Sequence, residues 1–464
     1  MSIFKACDIR GAYPAELDEA LFGALGRAIG SLLRERHPRP EVLVAGDVRL
    51  STPPLRQALA EGLASTGCRV ADLGMAPTPV AYFAARRLRP HGLAIVTASH
   101  NPPGDNGLKL AFGELPITES DIERVERAIA EQRFATGHGS IRPLAIEDDY
   151  AAWLAHSARP GNGLRIVLDC GNGTYSALAP RVLRALGYQA IELFCTPDGR
   201  FPNRSPNPSA PGSLAALCAA VAAHRAAIGV ALDGDGDRVA VVDDSARPLT
   251  GDQAIILLAQ HILALQSSSS LVPRPHKVVL DIKCSKAVLD AITAFGAQPL
   301  LERSGHAFIR ARMRAEDALF GGELSGHFFY RELEGGDDGL YSILRLAELA
   351  NAAPEAISAL VDAMPHYATT PDIRVPYPAP DGPSRIEQIA QAATGQVLRL
   401  DGVRVTYPDG WGLARCSVTE PVLTFRFEAF EGHPRAIAQR LLAPTPDLCQ
   451  AVLNRLDQPE TPEP

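Results

Sequence analysis

Three aspartates alternate with glycines in the segment Asp233-Gly-Asp-Gly-Asp-Arg238. Carboxylates this close repel one another unless a cation lies between them, and oxygen ligands favour Mg²⁺ or Ca²⁺. An EF-hand is disfavoured because the sixth position is Arg238, the twelfth is Asp244, and the flanks read as strands. The segment predicts a divalent-cation site formed by Asp233, Asp235 and Asp237, and its structural alternative is a polar hairpin turn.

A second polar segment, Thr97-Ala-Ser-His-Asn-Pro102, follows the apolar run Gly92–Ala98, which predicts a buried strand. Ser99 and His100 therefore stand at the end of a strand, the edge at which open α/β sheets bind ligands. A serine there suits a nucleophile or a phosphate carrier, although Asn-Pro also fits an ordinary turn. Lys109 follows in a short alternating run, where a solvated strand lysine is the alternative.

Two further segments carry groups suited to sugars and phosphates. In Gly321-Gly-Glu-Leu-Ser-Gly-His327 the polar residues alternate, so a strand would place them on one face, where they suit a polyol. The alternative is a glycine-rich turn. Near the C-terminus, Arg415, Ser417 and Thr419 offer phosphate donors between two predicted strands.

Alternating strands and helices position these segments. The pattern begins with strands such as Glu41–Gly46, restarts at Leu164–Asp169, and restarts again after Thr250, which predicts three α/β units with largely parallel sheets. The last hundred residues are typical of an α+β domain, with strands such as Val403–Tyr407. The predicted domains are residues 1–145, 146–248, 249–364 and 365–464.

The composition of the chain limits its partners and compartment. Its 464 residues are 46% hydrophobic, with 45 basic and 53 acidic side chains and a net charge of −8. No long run of one charge occurs, so we expect neither a nucleic-acid nor a membrane partner. The first residues lack an apolar signal core, and the eight cysteines are scattered. Reduced thiols and a cytoplasmic location are expected.

The four segments, in this order and spacing, resemble the α-D-phosphohexomutase family, in particular its bacterial phosphomannomutase/phosphoglucomutase group. The resemblance covers about residues 4 to 455. It implies a heart-shaped arrangement of three related α/β mixed-sheet domains and an α+β C-terminal domain. It also implies interconversion of hexose 1-phosphate and hexose 6-phosphate, with mannose or glucose as the sugar, in a monomeric isomerase. A phosphoserine and a hexose 1,6-bisphosphate are the implied intermediates, with Mg²⁺ as cofactor and glucose or mannose 1,6-bisphosphate as activator.

The resemblance also assigns expected roles to individual residues. Ser99 would be phosphorylated and would share the Mg²⁺ with Asp233, Asp235 and Asp237. Catalytic roles beside that serine are implied for Arg10, His100, Lys109 and Arg238, with Lys109 as the candidate proton carrier. For that role we expect its pKa to be lowered by the cation and the two arginines. The implied substrate-binding residues are Lys283, His306, Glu323, Ser325, His327, Arg415, Ser417 and Thr419.

The chain departs from the family pattern at two positions, and three other functions are weighed against the mutase. The group often has an aromatic residue at Cys7, and usually Asn or Gly at Val418. Amino-sugar mutases of the family typically carry Gln where this chain has Leu324, which favours glucose and mannose phosphates. The rivals are an amino-sugar phosphate mutase, a Mg²⁺-dependent phosphatase and a noncatalytic sugar-phosphate sensor. A hinge near Ala363–Pro371 would let the fourth domain move.

Overall fold

The structure, a computed structural model, describes residues 3–5, 8–267, 275–377, 381–417 and 422–457. Its strands form four sheets that follow one another along the chain. Three are mixed sheets flanked by helices, and the fourth is antiparallel. The predicted fold class, three α/β units followed by an α+β unit, is confirmed.

The first sheet has the order β1-β5-β4-β2-β3-β7, with β6 paired to β5. Its strands are β1 (Asp8–Ala12), β2 (Glu41–Gly46), β3 (Arg69–Met75), β4 (Gly92–Val96), β5 (Asp105–Phe112), β6 (Leu115–Pro116) and β7 (Ser140–Pro143). Its helices are α1 (Glu19–Arg34), α2 (Thr52–Ser65), α3 (Thr78–Leu88) and α4 (Glu119–Ala130). A Cβ on Gly26 would lie 2.3 Å from the Leu59 carbonyl oxygen, so this glycine lets α1 pack closely on α2.

The second sheet has the order β11-β10-β8-β9. Helix α5 (Glu147–Ser157) precedes it, and its elements are β8 (Arg165–Asp169), α6 (Leu178–Ala185), β9 (Gln189–Leu193), α7 (Ala215–His224), β10 (Ile228–Leu232) and β11 (Val239–Asp243). Strands β10 and β11 pair antiparallel, so the aspartate-rich segment is the turn between them.

The third sheet has the order β13-β12-β14-β15-β16. Its strands are β12 (Lys277–Asp281), β13 (Gln298–Glu302), β14 (Phe320–Gly322), β15 (Phe328–Tyr330) and β16 (Gly336–Asp337). Its helices are α8 (Gly251–Ser267), α9 (Lys286–Ala294), α10 (His306–Glu316), α11 (Gly339–Ala352) and α12 (Ile357–Asp362), with a 3₁₀ turn at Arg331–Leu333. One buried apolar cluster joins the first three units through residues such as Val80, Leu168 and Leu344.

The fourth sheet has the order β17-β22-β21-β20-β19, with β18 also paired to β22. Its strands are β17 (Ala368–Thr369), β18 (Ile373–Pro376), β19 (Gln396–Leu398), β20 (Val403–Tyr407), β21 (Gly410–Cys416) and β22 (Val422–Ala429). Its helices are α13 (Gly382–Ala392), α14 (Pro434–Leu442) and α15 (Pro446–Leu456). Among the described residues, no helix combines the length and apolar character needed to cross a bilayer.

The structure corrects one expectation about local conformation. Glu323, Ser325 and His327 do not share the face of a strand, because β14 ends at Gly322 and β15 begins at Phe328. The segment is the turn between them: the Gly326 amide donates to the Glu323 carbonyl at 3.1 Å, and Gly326 has φ +89°. The glycine makes this left-handed conformation accessible.

Candidate active site

The three aspartates of the β10–β11 turn converge as the sequence predicts. Each of Asp233, Asp235 and Asp237 is buried and offers an oxygen within 4.8 Å of the others. The Oδ1 atoms of Asp235 and Asp237 are buried and have no hydrogen-bond partner in the described structure. Unpaired buried carboxylate oxygens are costly unless a cation binds them. This donor set therefore fits a hard divalent metal ion.

Ser99 lies directly against this group. Its Oγ donates to Asp233 Oδ2 at 2.7 Å, and His100 Nδ1 is 3.4 Å from the same hydroxyl. The serine has φ +51°, an uncommon conformation for a side chain other than glycine. A Cβ on Gly234 would lie 2.6 Å from the Ser99 carbonyl oxygen, so that glycine allows the two loops to meet.

A buried arginine and its partners hold the Ser99 loop in place. Arg49, 1% exposed, pairs with Asp47 at 3.0 Å and donates to the carbonyls of Ser99 (2.9 Å) and Asn101 (2.6 Å). The Thr97 hydroxyl donates to Asp47 at 2.8 Å and accepts from the Ser99 amide at 2.8 Å. The loop conformation is thus determined by side chains of the first unit.

Of the expected catalytic residues, Arg10 contacts this loop and His100 belongs to it. Arg10 donates to the Ala98 carbonyl and pairs with Asp8 at 2.8 Å. Burial, followed by the charges of Arg238 and Arg10, holds the pKa of His100 well below its usual range. His100 is therefore neutral at pH 7 in the metal-free chain.

Lys109 lies in β5, whose register with β1 places it opposite Asp8. It is 5% exposed, and its Nζ donates to Asp235 Oδ2 at 2.8 Å and also to Asp237. Burial alone would lower the pKa of Lys109, but these two carboxylates raise it well above its ordinary value. Here the carboxylates outweigh the opposing charge of Arg10. The expected lowering of this pKa includes a bound cation and stays a prediction.

The acidic group itself predicts a pH-dependent response to metal. Burial, reinforced by Asp237 and Asp235, raises the pKa of Asp233 from 3.8 to about 7. The native metal-free chain thus binds this proton more tightly than the unfolded chain, so the free energy of unfolding decreases as the pH rises from about 4 to 7. A divalent cation such as Mg²⁺ would bind the deprotonated carboxylates, so we expect it to raise the melting temperature more at about pH 8 than at about pH 5.5. Thermal unfolding with Mg²⁺ or with chelator measures both, and equal shifts would contradict this interpretation.

Arg238 is linked to His327 and Asp337. Arg238 Nε donates to His327 Nε2 at 2.8 Å, and His327 Nδ1 lies 2.6 Å from Asp337 Oδ2. An arginine has no acceptor, so His327 Nε2 must accept and the ring proton must be on Nδ1, where Asp337 accepts it. His327, expected to bind the sugar, is 4% exposed and lies between these two charged groups.

We expect Asp337→Ala to lower kcat by roughly 10- to 100-fold, the usual effect of losing a group that orients an active-site side chain. Asp337→Asn retains an acceptor for the Nδ1 proton and should recover part of the loss. Steady-state kinetics at saturating substrate measures both, and melting temperatures control for folding. Equal losses of kcat in the two variants would contradict the positioning role.

The remaining expected substrate residues belong to the third and fourth units. Lys283 Nζ is 3.4 Å from Asp372 and 3.6 Å from Asp281, and Glu323 accepts from the Gly305 amide at 2.5 Å. Ser325 is half-buried in the β14–β15 turn, and His306 begins α10 with its ring 6.3 Å from that of His327. Arg415 pairs with Asp401 at 3.0 Å, and the Ser417 amide donates to the Val422 carbonyl at 2.9 Å. Thr419, Val418 and Cys7 lie outside the described residues.

Burial and neighbouring charges shift the pKa values of two of these residues, His306 and Lys283. Burial and the charge of Lys109 lower the pKa of His306 to about 4. Burial alone would lower the pKa of Lys283, but Asp281 and Asp372 raise it, while Arg415 opposes them. Lys283 therefore stays protonated at neutral pH and offers a positive charge.

Several residues at the site have no counterpart in the sequence-based prediction. Thr78 begins α3 and donates to Asp235 Oδ2 at 2.6 Å. Asp47, Arg49 and Asp337 were also missed. Only two sequence features could have indicated Asp47, Arg49 and Asp337. They are the Asp-Val-Arg directly after the predicted strand Glu41–Gly46 and the Asp-Asp-Gly at residues 337–339.

Comparison with known proteins places this site in a family. Family models described as phosphoglucomutase/phosphomannomutase alpha/beta/alpha domains I, II and III match residues 1–136, 148–246 and 250–367, and the C-terminal domain model matches 373–441. The chain is 37% identical to phosphomannomutase/phosphoglucomutase of Pseudomonas aeruginosa over 432 residues, 92% of each chain. It is 35% identical to phosphoglucomutase of Neisseria gonorrhoeae, over 92% of this chain and 93% of that one. A crystal structure of a Burkholderia thailandensis family member superposes with a TM-score of 0.86, at 35% identity and 99% coverage of both chains. The chain belongs to the phosphoglucomutase/phosphomannomutase family, and with it to the α-D-phosphohexomutases.

Proposed function

We propose that the protein is a phosphohexomutase that interconverts hexose 1-phosphate and hexose 6-phosphate, with glucose or mannose as the sugar. The observation that carries the proposal is the hydroxyl of Ser99, 2.7 Å from a buried group of three carboxylates. A serine in that position can carry a phosphoryl group whose charge is balanced by a metal ion and nearby arginines. The names of the similar proteins support the same reaction.

Asp233, Asp235 and Asp237 would hold the metal together with an oxygen of phosphorylated Ser99, and Mg²⁺ is the proposed ion. When bound, Mg²⁺ would stabilise the charge on the transferring phosphoryl group. Arg238, held by His327, and Arg10 supply further positive charge. In the first half-reaction the bond between Ser99 Oγ and phosphorus breaks, a sugar hydroxyl gains the phosphoryl group, and the product is a hexose 1,6-bisphosphate. The second half-reaction returns the other phosphate to Ser99.

Lys109 is the proposed acceptor of the sugar hydroxyl proton. It must first lose its own proton. This requires that Asp235 and Asp237 bind the metal ion and no longer pair with Lys109. Lys109→Arg keeps the positive charge but cannot deprotonate, so we expect kcat to fall by at least roughly 100-fold, the usual range for general base catalysis. The substitution should leave KM largely unchanged. Full turnover by this variant, measured with a coupled assay, would exclude the proton-transfer role.

The other residues would bind and exchange the two ends of the substrate. Glu323 and Ser325 are proposed to bind sugar hydroxyls, and Lys283 and His306 to face the substrate. Arg415, Ser417 and Thr419 are proposed to bind its nonreacting phosphate. The bisphosphate must turn over between half-reactions, and the hinge near Ala363–Pro371 is proposed to open the site for it. Glucose or mannose 1,6-bisphosphate would phosphorylate Ser99 in resting enzyme. The monomeric state and cytoplasmic location stay predictions.

³¹P NMR with Mg²⁺, a trace of glucose 1,6-bisphosphate and either glucose 1-phosphate or mannose 1-phosphate tests this function. A growing 6-phosphate resonance is the expected result, and the two rates give the sugar preference. Growth of inorganic phosphate would instead identify a phosphatase. Activity with glucosamine 1-phosphate alone would identify an amino-sugar mutase, and no change with any sugar phosphate would favour a sensor.

A further inference from the structure

A cavity of about 190 Å³ lies between the first and third units, outside the proposed active site. The first unit contributes Tyr82, Arg86 and Leu93, and the third contributes Arg310 and Glu334. The two glutamates that line the cavity, Glu114 and Glu334, are already paired with arginines. Arg89 pairs with Glu114 at 2.7 Å and with Glu334 at 2.5 Å, and Arg314 also pairs with Glu114.

Two guanidinium groups on this cavity have no such partner. No described carboxylate lies within 4.0 Å of Arg86 or Arg310. Arg310 is 8% exposed; its Nη2 donates to the Glu114 carbonyl at 3.0 Å, and its buried Nε has no partner in the described structure. Among the described residues, Arg86 has one hydrogen bond, a long one of 3.4 Å to the Leu333 carbonyl.

The charge of Arg310 also acts on Arg86. Burial lowers the pKa of Arg86, and the charge of Arg310 lowers it further, although Asp338 opposes this. An aromatic ring compensates in part for the missing carboxylate partner of Arg310, since its guanidinium lies 5.4 Å from the centre of the Tyr82 ring. Buried charges are normally paired, and arginine is the residue best suited to bind an oxyanion through two donors.

We propose that this cavity binds a free tetrahedral oxyanion such as inorganic phosphate, held between Arg86 of the first unit and Arg310 of the third. The cavity is large enough to admit a tetrahedral ion. Such an ion would link helices α3 and α10. Helix α3 begins at Thr78, which donates to Asp235, and α10 begins at His306. Oxyanion binding would therefore stabilise the packing of two helices whose first residues reach the active site.

Thermal unfolding of the full chain in increasing sodium sulfate, at constant ionic strength, tests the site. Any sulfate bound at the active site contributes in every variant, so the comparison between variants isolates the cavity. We expect the stabilisation by sulfate to be smaller in Arg310→Gln and in Arg86→Gln than in wild type, because a ligand stabilises the state that binds it. Arg312→Gln is the matched control, because Arg312 lies on the same helix, pairs with Glu316 at 3.1 Å and does not line the cavity, so this variant should respond like wild type.

Equilibrium dialysis with [³⁵S]sulfate measures the site directly. We expect Arg310→Gln to bind one sulfate fewer per chain, or to bind it at least roughly tenfold more weakly, since one charged donor is lost. If that variant does not fold, Arg86→Gln gives the same comparison. Sulfate dependence and stoichiometry equal to wild type in the variants would overturn the proposal. An Arg310-dependent shift with glucose 6-phosphate but not with phosphate or sulfate would overturn the free ion as ligand.

Discussion

Replacing Ser99 by glycine is expected to abolish sugar-phosphate interconversion while leaving the melting temperature close to or above that of wild type. The hydroxyl next to the carboxylate group is the proposed phosphoryl carrier, and its removal should lower kcat by at least roughly 1,000-fold. Glycine adopts φ +51° without strain, so the backbone of the loop should not suffer. The coupled assay and thermal unfolding measure the two effects on one sample.

Gln132→Gly is the matched control for this variant. Gln132 is exposed and has φ +50°, so it undergoes the same change of residue type in the same backbone conformation. Its activity should equal that of wild type. Substantial mutase activity in Ser99→Gly would show that another group carries the phosphoryl, whereas a large fall in its melting temperature would show that Ser99 is chiefly structural.

Asp233→Asn is expected to have the second large effect, with opposite consequences for activity and for metal-free stability. Losing one of three metal ligands should lower Mg²⁺-dependent kcat by at least roughly 100-fold. At about pH 8 Asp233 is ionised beside two other carboxylates, with a pKa raised to about 7 mainly by burial. Asparagine removes that charge, so the metal-free variant should melt at a higher temperature than metal-free wild type.

The expected effect of Asp233→Asn on stability depends on the metal, so the melting temperature of each variant is measured with Mg²⁺ and with chelator. Wild type should gain stability from Mg²⁺, and Asp233→Asn should gain little. Asp148→Asn, which changes a carboxylate that is 90% exposed, should behave like wild type in both conditions. A metal-free melting temperature below that of wild type would mean that the Asp233 carboxylate has favourable partners that outweigh repulsion.

Local patterns predicted much of the fold because apolar periodicity is a local property. The predicted strands Glu41–Gly46 and Val403–Tyr407 have the observed bounds. Strand β4 ends at Val96 rather than at the predicted Ala98. At that point the Thr97 hydroxyl forms hydrogen bonds with Asp47 and with the Ser99 amide, and the Ser99 loop begins two residues earlier than predicted. The contact with Asp47 joins residues far apart in sequence, which no local pattern reveals.

In the candidate site, too, short motifs were predicted correctly, and contacts between residues far apart in sequence were missed. Alternating aspartates and a serine at a strand end indicated the metal group and Ser99 from short motifs. Arg49 and Asp337 were missed because their roles depend on residues that only the fold brings together, namely the Ser99 loop and His327. The two carboxylates that raise the pKa of Lys109 were missed for a similar reason. Its environment is set by two carboxylates from another sheet, and their distances were not readable from the sequence.

The transfer of a labelled phosphoryl group from the protein to a sugar would show whether Ser99 is the phosphoryl carrier. The chain is phosphorylated with ³²P, freed of small molecules, and mixed in excess with glucose 1-phosphate and Mg²⁺ in a single turnover. We expect the label to leave Ser99, as peptide mapping would show, and to appear in glucose 1,6-bisphosphate before any other species. Label that stays on the protein, or that appears only as inorganic phosphate, would contradict this expectation.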